Sequence, residues 1–340
     1  MSALCIHFGT CGGCATQDLP PQEYRTRKRD IVVRALARHG VEAQVAEIFA
    51  IAPGTRRRCV FKIKDGRIGF HARASHDIVD MRECRVLTPG LFGLAQDLRD
   101  IANEIGTAEL HATEADNGFD LMLRWSRKAR PALIAKLADW AAHSKVTRIT
   151  AGGEILVELA APMWRGVRLP PGAFLQPTRE GEAFLQAEVA ASAAKAKSAL
   201  DLFAGCGTFA LALAPRMKVH AVEHDAAQLS ALAQAARARP GLKPVTVEKR
   251  DLFKQPLSAK ELGVYDAAIL DPPRAGAAAQ IAELGKSGLK RIAYVSCNAD
   301  SFARDTHALL GHGCKIGIVR PVDQFLWSEH IELVASFTRD

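Results

Sequence analysis

Cysteine 297 lies where a side chain could act as a nucleophile. An apolar run, Ile292 to Val295, precedes Ser296-Cys297-Asn298, and a helical pattern begins directly after it. In an α/β sheet, a buried strand ends at the edge that opens onto the ligand crevice. A small buried thiol is the commoner explanation of a lone cysteine at such a position. Polar residues at the ends of the neighbouring predicted strands favour catalysis instead.

A carboxylate that could work with this thiol lies near the C-terminus. In His330-Ile331-Glu332 the acid stands two residues after a histidine, so both side chains share one face of the predicted strand. A thiolate that adds to C6 of a pyrimidine makes C5 nucleophilic enough to be alkylated. A base must then remove the C5 proton before the thiolate leaves. Cys297 and Glu332 are the predicted nucleophile and base, and Asp271 is expected to orient the ring.

A short glycine turn predicts a nucleoside-binding site. The apolar strand at 199–203 leads into Gly205-Cys206-Gly207, and the next strand ends in Glu223. This is close to the spacing of about 20 residues that places a carboxylate on ribose hydroxyls. No second phosphate loop and no GKS or GKT motif accompanies the turn. The pattern therefore fits S-adenosylmethionine better than NAD or ATP, with a Rossmann dehydrogenase as the alternative for this half.

Strands and helices that would position these residues alternate along the C-terminal half. Further strands are predicted at 219–223, 245–248, 267–270, 292–295, 315–320 and 331–337. The fold class is α/β, with a doubly wound, mostly parallel, Rossmann-like sheet that resembles a class I methyltransferase domain. An α+β central domain and an N-terminal cysteine-rich segment precede it. The predicted limits are 1–50 for the cysteine-rich segment and a basic helix, 51–168 for the central RNA-binding domain, and 169–340 for the methyltransferase domain.

Cysteines cluster near the N-terminus. Of eight in the chain, Cys5, Cys11 and Cys14 lie close together, with glycines between them that allow tight folding. Three converging thiolates indicate an iron–sulfur cluster or a tetrahedral zinc ion, and the spacing alone does not separate the two. Cys59, in a predicted strand, and Cys84, after one, are the alternatives for a fourth ligand.

The chain is basic and carries no sign of a membrane segment. Its 340 residues have a net charge of +8 and 48% hydrophobic residues, and no apolar run is long enough to span a bilayer. No signal peptide is visible, which predicts a cytoplasmic protein. Arginines crowd a predicted helix at 20–39 and recur at Arg56 to Arg58. Such runs suit a phosphate-rich partner, although a solvated face is the plainer explanation.

Taken together, these motifs resemble the RNA 5-methyluridine (uracil-C5) methyltransferase family from Cys5 to nearly the C-terminus. They follow in the order CIHFGTCGGC at 5–14, PPGAFLQ ending at Gln176, DLFAGCGTF at 201–209, Glu223, DPPR at 271–274, VSCN at 295–298 and HIE ending at Glu332. The resemblance implies S-adenosylmethionine as methyl donor, Cys297 as nucleophile and Glu332 as general base. The predicted donor-site and pocket residues are Gln176, Phe203, Gly205, Thr208, Glu223, Asp251 and Asp271.

The resemblance also selects among the alternatives that the residues leave open. It implies Cys5, Cys11, Cys14 and Cys84 as ligands of a [4Fe–4S] cluster. Family branches with this cluster act on large-subunit ribosomal RNA, which favours ribosomal RNA over transfer RNA as substrate for a monomeric enzyme. No β-barrel RNA-binding domain precedes Cys5, as expected of a shorter branch or a trimmed chain. Pro177-Thr178 stands where the family commonly has Thr-Asn.

Three other functions are alternatives. An RNA cytosine-5 methyltransferase would carry a cysteine after the first proline of the motif that here reads Asp271-Pro272-Pro273. An amino-group methyltransferase needs no thiol and usually has an aromatic residue where Arg274 stands. An iron–sulfur RNA-binding protein without catalysis is the alternative from another class. The presence of both Cys297 and Glu332 argues against it.

Overall fold

A computed structural model describes residues 4–126 and 128–339, which form two compact units. The first unit comprises the described residues up to Leu19, together with Ala52–Arg179 and Leu326–Ser328. The second comprises Pro20–Ile51, Glu180–Phe325 and the described residues from Glu329 onward. The domain limits predicted from the sequence remain a prediction about separately folding segments.

Helices and strands alternate along much of the chain. The helices are α1 (Pro21–Arg38), α2 (Pro89–Asp97), α3 (Arg99–Ile105), α4 (Pro131–His143), α5 (Arg179–Ser192), α6 (Ala210–Leu213), α7 (Ala226–Ala238), α8 (Ala259–Leu262), α9 (Ala278–Lys286) and α10 (Ala299–Gly311). The strands are β1 (Arg58–Lys64), β2 (Arg67–His71), β3 (Ile78–Asp80), β4 (Ala108–Glu114), β5 (Phe119–Arg124), β6 (Val146–Ala151), β7 (Glu154–Glu158), β8 (Met163–Trp164), β9 (Val167–Arg168), β10 (Ser198–Leu202), β11 (Lys218–Glu223), β12 (Val245–Lys249), β13 (Ala267–Leu270), β14 (Arg291–Ser296), β15 (Lys315–Ile316), β16 (Arg320–Val322) and β17 (Glu332–Thr338).

The first unit is built on a seven-stranded sheet in the order β3-β2-β1-β4-β5-β6-β7. Its neighbours are antiparallel except β5 and β6, which run parallel. In β1, Cys59, Phe61 and Ile63 are buried in alternation, as expected of a strand with one face on a core. Two helices, α2 and α3, meet at Leu98.

The second unit contains the predicted doubly wound sheet, with strands in the order β12-β11-β10-β13-β14-β17-β15. Strands β10 to β14 pair in parallel, and β17 pairs antiparallel to β14. The strand order reverses between β10 and β13, so the ends of these two strands form the crevice in which such sheets bind ligands. Strand β16 pairs with β17 outside this order. The mixed α/β architecture that the sequence predicted is confirmed.

Helix α1 belongs to the second unit. Pro21 occupies its first turn, where a missing N–H costs nothing. Val32, Ala35 and Leu36 on its inner face are buried in the same core as β10, β13 and β14. Among the residues that the structure describes, no helix combines the length and apolarity needed to cross a bilayer.

Candidate active site

Cys297 follows β14 directly and precedes α10. Asn298 caps that helix, because its Oδ1 accepts hydrogen bonds from the backbone N–H groups of Asp300 (2.9 Å) and Ser301 (3.1 Å). The hydroxyl of Ser296 donates to the Asn298 carbonyl (3.1 Å) and accepts from the Asn298 N–H (3.2 Å). The two small polar residues beside the cysteine therefore hold the turn that presents its half-buried thiol.

Glu332 is the first residue of β17, next to the strand that carries the thiol. The antiparallel register pairs Ser296 with Leu333, so Cys297 and Glu332 lie at the same end of the two strands. Glu332 is only 3% exposed. Burial, followed by the charge of Asp271, holds the pKa of this carboxyl well above its usual value. A carboxylate with a raised pKa is a stronger base than a free one.

The thiol has electrostatic neighbours of both signs. Burial raises the pKa of Cys297 to about 12, and the charges of Glu332 and Asp271 act in the same direction. The charge of Arg274 opposes them. The charges of Glu332 and Asp271 act on Cys297, and that of Asp271 acts on Glu332, so the predicted nucleophile, base and orienting acid lie near one another. Sequence reasoning used Arg274 only to argue against another enzyme class, although the DPPR motif already contains it.

Asp271 and Arg274 lie on the loop that follows β13. The parallel pairing of Leu270 with Tyr294 puts the start of this loop beside the end of β14. One guanidinium nitrogen of Arg274 lies 3.2 Å from Nδ1 of His330. The arginine therefore stands between the thiol and the segment that leads into Glu332.

The glycine turn lies at the switch point of the sheet, after β10. Gly205 has a φ of +53° and Gly207 a φ of +90°. A Cβ on Gly207 would lie 2.3 Å from Cδ1 of Leu232, so helix α7 packs closely against the turn. The N–H of Gly205 donates to Oε2 of Glu223 (3.0 Å). The predicted glycine turn and the predicted acid are thus brought into contact.

Glu223 ends β11 and organises the backbone around it. Its Oε1 accepts from the N–H groups of His224 (2.7 Å) and Asp225 (3.0 Å). A carboxylate has about four lone-pair sites, so these backbone bonds leave it capacity for a hydroxyl donor.

Phe203 and Asp251 line the same edge of the sheet. Phe203 adopts a left-handed conformation with φ +64°, which is unusual for an aromatic residue and favours a functional constraint. Its ring centroid lies 5.4 Å from that of Phe253, which is 49% exposed. Asp251 accepts from the Phe253 N–H (3.1 Å) and so fixes the turn that carries this ring. Phe253 was not predicted from the sequence, where nothing separates it from an ordinary loop aromatic.

Thr208 and Asp201 complete the turn. The Thr208 carbonyl accepts from Nε2 of Gln186 (2.7 Å). Asp201 on β10 is fully buried, and its Oδ2 accepts from the N–H of Ala210 (2.7 Å). Burial raises the pKa of Asp201 to about 8, and its Oδ1 has no hydrogen-bond partner among the described residues.

Gln176 belongs to the first unit, where arginines hold it. Arg57 is 1% exposed, and its Nε donates to the Gln176 carbonyl (3.0 Å). The guanidinium of Arg58 lies 4.2 Å from the centroid of the Phe174 ring, which is half exposed. The Arg56 to Arg58 run is therefore not a solvated face, because Arg57 is packed inside the unit.

The N-terminal cysteines lie on a loop that is tied to the sheet of the first unit. Cys11 forms a β-bridge with Ala72 beyond the end of β2. The Ile6 N–H donates to a carboxylate oxygen of Glu83 (3.0 Å), next to Cys84. The predicted segment 5–14 and the predicted fourth ligand are therefore neighbours.

A metal ion or cluster requires cysteine thiols that converge on one point. Burial raises the pKa of Cys14 and of Cys84; the charge of Cys84 adds to the first shift, and the charges of Cys5 and Cys11 add to the second. The charges acting on buried Cys59 come from Arg56, Cys84 and Arg58. Within the described part of the chain, no three His, Cys, Asp or Glu side chains meet in a geometry ready for a metal ion. The four predicted cysteines are near one another but do not form a completed metal site.

The chain is similar to known RNA methyltransferases. The family described as tRNA (uracil-5-)-methyltransferase matches residues 163–339. An uncharacterised RNA methyltransferase of Brucella suis is 42% identical over 98% of this chain and 84% of its own length. The 23S rRNA (uracil(1939)-C(5))-methyltransferase RlmD of Pectobacterium atrosepticum is 33% identical over 99% of this chain and 80% of its own length.

The fold has a solved counterpart. The Pyrococcus abyssi tRNA (uracil-54, C5)-methyltransferase, in complex with S-adenosyl-L-homocysteine, superposes with a TM-score of 0.77. It is 22% identical in sequence, and the match covers 96% of this chain and 85% of that one. The prediction of an S-adenosylmethionine-dependent RNA (uracil-C5) methyltransferase is confirmed at the level of the family. This chain belongs to the tRNA (uracil-5-)-methyltransferase family.

Proposed function

We propose that this chain methylates C5 of a specific uridine in RNA through a covalent bond between Cys297 Sγ and C6 of the base. The main support is the β14–β17 register, which puts Cys297 and Glu332 at the same end of these two strands. The effects of the Glu332 and Asp271 charges on the pKa of Cys297, and of the Asp271 charge on that of Glu332, support a shared site for one base.

Each of these residues has one role in the proposed reaction. Cys297 loses its proton to solvent and its sulfur adds to C6, and the electron pair of the C5–C6 bond moves onto O4 as an enolate. C5 would then take the methyl group that bound S-adenosylmethionine would supply, with S-adenosylhomocysteine as the leaving group. Glu332 then takes the C5 proton, and the thiolate leaves C6 as the double bond re-forms. Asp271 orients the ring.

The protonation states of the two groups fit this order of events. Without RNA, burial raises the pKa of both the thiol and the carboxyl, so two anions side by side are disfavoured in this site. Arg274 is the charge that favours the thiolate. Glu332 must be ionised when it takes the C5 proton, and a raised pKa makes it effective in that step.

The methyl donor is proposed to lie across the glycine turn at the switch point of the sheet. Glu223 would bind the ribose, with Gly205 and Thr208 on the turn, Phe203 and Asp251 beside the base, and Asp271 near the reacting end. The close approach allowed at Gly205 and the spare acceptor capacity of Glu223 support this arrangement. Gln176 is proposed as a further pocket residue.

Cys5, Cys11, Cys14 and Cys84 are proposed to hold a [4Fe–4S] cluster. Tethering of the loop to the segment around Glu83 supports Cys84 as fourth ligand. The cluster would be structural, because it would fix the N-terminal loop to the sheet.

Ribosomal RNA is proposed as the substrate, with a monomeric enzyme acting in the cytoplasm. The relative named as a 23S rRNA methyltransferase is 33% identical over nearly the whole chain. The tRNA enzyme shares the fold at 22% identity. Deleting the gene and mapping the missing methyl group by mass spectrometry of ribosomal and transfer RNA would distinguish the two substrates.

A covalent trap tests the mechanism directly. Wild-type protein should form a denaturation-stable adduct with RNA that contains 5-fluorouracil, because fluorine replaces the proton that Glu332 removes. Cys297→Ala should still bind S-adenosylmethionine but form no adduct and transfer no methyl group. Glu332→Gln should accumulate an adduct with ordinary uridine. Turnover by Cys297→Ala at the wild-type rate would refute the nucleophile, and rapid product release by Glu332→Gln would refute the base.

A further inference from the structure

Asp305 is a buried acid that the proposed reaction does not use. It lies on α10 and is 1% exposed. Its Oδ2 accepts from the hydroxyl of Tyr294 (2.7 Å) and from the N–H of Ala277 (2.8 Å). Its Oδ1 accepts from the guanidinium of Arg304 at 2.6 and 2.9 Å. One carboxylate thus joins three parts of the second unit.

Two of these parts carry the residues of the proposed chemistry. Tyr294 lies on β14, shortly before Cys297. Ala277 ends the loop that begins at Asp271 and includes Arg274. Strand pairing of β13 with β14 fixes the start of this loop, and Asp305 fixes its end. Arg274 lies between the two anchors.

The end of the loop has no room to move against Asp305. Gly276 has a φ of +79°, and a Cβ at this position would lie 2.6 Å from Oδ2 of Asp305 and 2.5 Å from Arg304. Arg304 also donates to the Ala275 carbonyl (3.0 Å). The acid and its arginine therefore hold three consecutive loop residues.

The hydroxyl of Tyr294 has no exposure to water, so its bond to Asp305 is not in competition with solvent. Burial and the charge of Asp305 raise the pKa of Tyr294 well above its usual value, so the hydroxyl keeps the proton that it donates. Hydrogen bonds to an ionised acceptor are roughly twice as strong as neutral ones.

We propose that Asp305 is a positioning residue which sets the Asp271–Arg274 loop against Cys297 by joining Tyr294 to Ala277. The proposal rests on the proposed function and adds a residue to it that touches neither RNA nor methyl donor. Its effect is geometric: it sets the distance of the arginine from the thiol.

Asp305→Asn tests this with little change in shape. An amide cannot accept all of the present donors, so the loop end should shift. Single-turnover methyl transfer is expected to fall about 10- to 100-fold, as for a misplacement of about 1 Å at a reacting group. Affinity for S-adenosylmethionine should stay within about twofold of wild type, because the glycine turn follows β10 and the β13–β14 pairing still fixes Asp271 at the start of the loop. Tyr294→Phe removes one of the bonds and should lower the rate by less.

Asp300→Asn is the matched control. Asp300 lies on the same helix, but it is exposed and pairs with Arg38 on the surface. This variant should keep the wild-type rate.

A second measurement does not depend on RNA. Alkylation of Cys297, followed by mass spectrometry of its peptide, should need a higher pH in Asp305→Asn, because the arginine that favours the thiolate is no longer held. If wild-type protein fails to methylate RNA while this shift is found, the proposed function fails and the positioning role stands. Unchanged transfer and unchanged alkylation in Asp305→Asn would overturn the positioning role, and so would an equal loss of donor binding in both Asp305→Asn and Tyr294→Phe.

Discussion

The thiol of Cys297 is not activated in advance. Many reactive cysteines have a low pKa because a helix N-terminus or a cation stabilises the thiolate. Cys297 has both, since α10 begins behind it and Arg274 lies near, yet burial and two carboxyl groups outweigh them and raise its pKa to about 12. The site therefore keeps its nucleophile protonated until substrate changes the surroundings.

Removing single charges around the Cys297 thiol leads to a prediction about its pH dependence. Arg274→Met should raise the pKa of Cys297, and Glu332→Gln should lower it, because the first removes a favourable charge and the second an unfavourable one. Alkylation follows the thiolate fraction, so a shift of half to one pKa unit changes the rate about three- to tenfold. The measurement is the rate of iodoacetamide modification of the Cys297 peptide from about pH 8 to about pH 10.

Lys254→Met provides the control for this experiment. Lys254 is 82% exposed, and within the described residues its ion pair is with Asp251, at 3.6 Å. Its loss should not change the Cys297 profile. A faster reaction in Arg274→Met than in wild type would contradict the electrostatic explanation.

At the scale of elements, α1 shows that a basic helix is not a uniform surface. Lys28 is 2% exposed, and its Nζ lies 2.8 Å from Oδ1 of Asp323. The same ammonium donates to the carbonyls of Phe325 (3.1 Å) and His330. Lys28 therefore holds both ends of the segment that leads into Glu332. Burial lowers its pKa, and the charge of Asp323 opposes that effect.

Removing Lys28 alone should lower the free energy of unfolding more than neutralising both Lys28 and Asp323. Lys28→Met leaves Asp323 buried without its cation, which costs about 3–5 kcal/mol for a buried pair. Lys28→Met combined with Asp323→Asn should recover part of this loss, because the carboxylate is neutralised. The stability is measured by hydrogen exchange of the β17 amides in urea, which reports on the second unit.

Arg27→Met is the comparison on the same helix. Its ion pair with Glu329 is half exposed on both sides, and such pairs contribute about 0–1 kcal/mol. Equal destabilisation by Lys28→Met and Arg27→Met would show that burial of the Lys28–Asp323 pair does not increase its contribution to stability.

The sequence predicted the second sheet well because its strands are apolar runs that end in polar residues. Strand β4 has a weak sequence signal, because Ala108 and Ala112, which alternate with Leu110 on its buried face, have a low strand propensity. The break at Leu98 also has no marker, since no glycine or proline separates α2 from α3.

The sequence likewise predicted some residues of the candidate site and not others. Cys297, Glu332, Asp271, Glu223 and the glycine turn stand at strand ends, where the fold alone brings them together. Lys28, Asp305 and Arg57 could not be distinguished from surface charges, because burial of a charged side chain depends on tertiary partners far along the chain.

At the scale of the molecule, the unfolding of each unit can be followed by a different measurement. All four tryptophans, Trp125, Trp140, Trp164 and Trp327, belong to the first unit. Tryptophan fluorescence therefore follows unfolding of that unit, and the amides of β10 and β17 follow the second. Two transitions are to be analysed separately rather than as one two-state event.

This separation allows the proposed cluster to be tested through iron and stability together. A cluster that joins Cys5 to Cys84 closes a long loop, and cross-links of that kind contribute about 2–4 kcal/mol in disulfides. Anaerobically purified wild-type protein should be brown and contain iron, whereas Cys84→Ser should lose the iron and unfold at lower urea by tryptophan fluorescence. Hydrogen exchange of the β17 amides should not change.

Cys59→Ala is the discriminating control, because Cys59 was the other candidate for the fourth ligand. The side chain is 7% exposed in β1, where it packs in the core of the first unit. Its truncation should lower the stability of that unit through lost packing but leave the iron content intact. Loss of iron in Cys59→Ala with retention in Cys84→Ser would reverse the ligand assignment. Stoichiometric zinc in both would replace the cluster with a tetrahedral ion, because the same thiolates serve either.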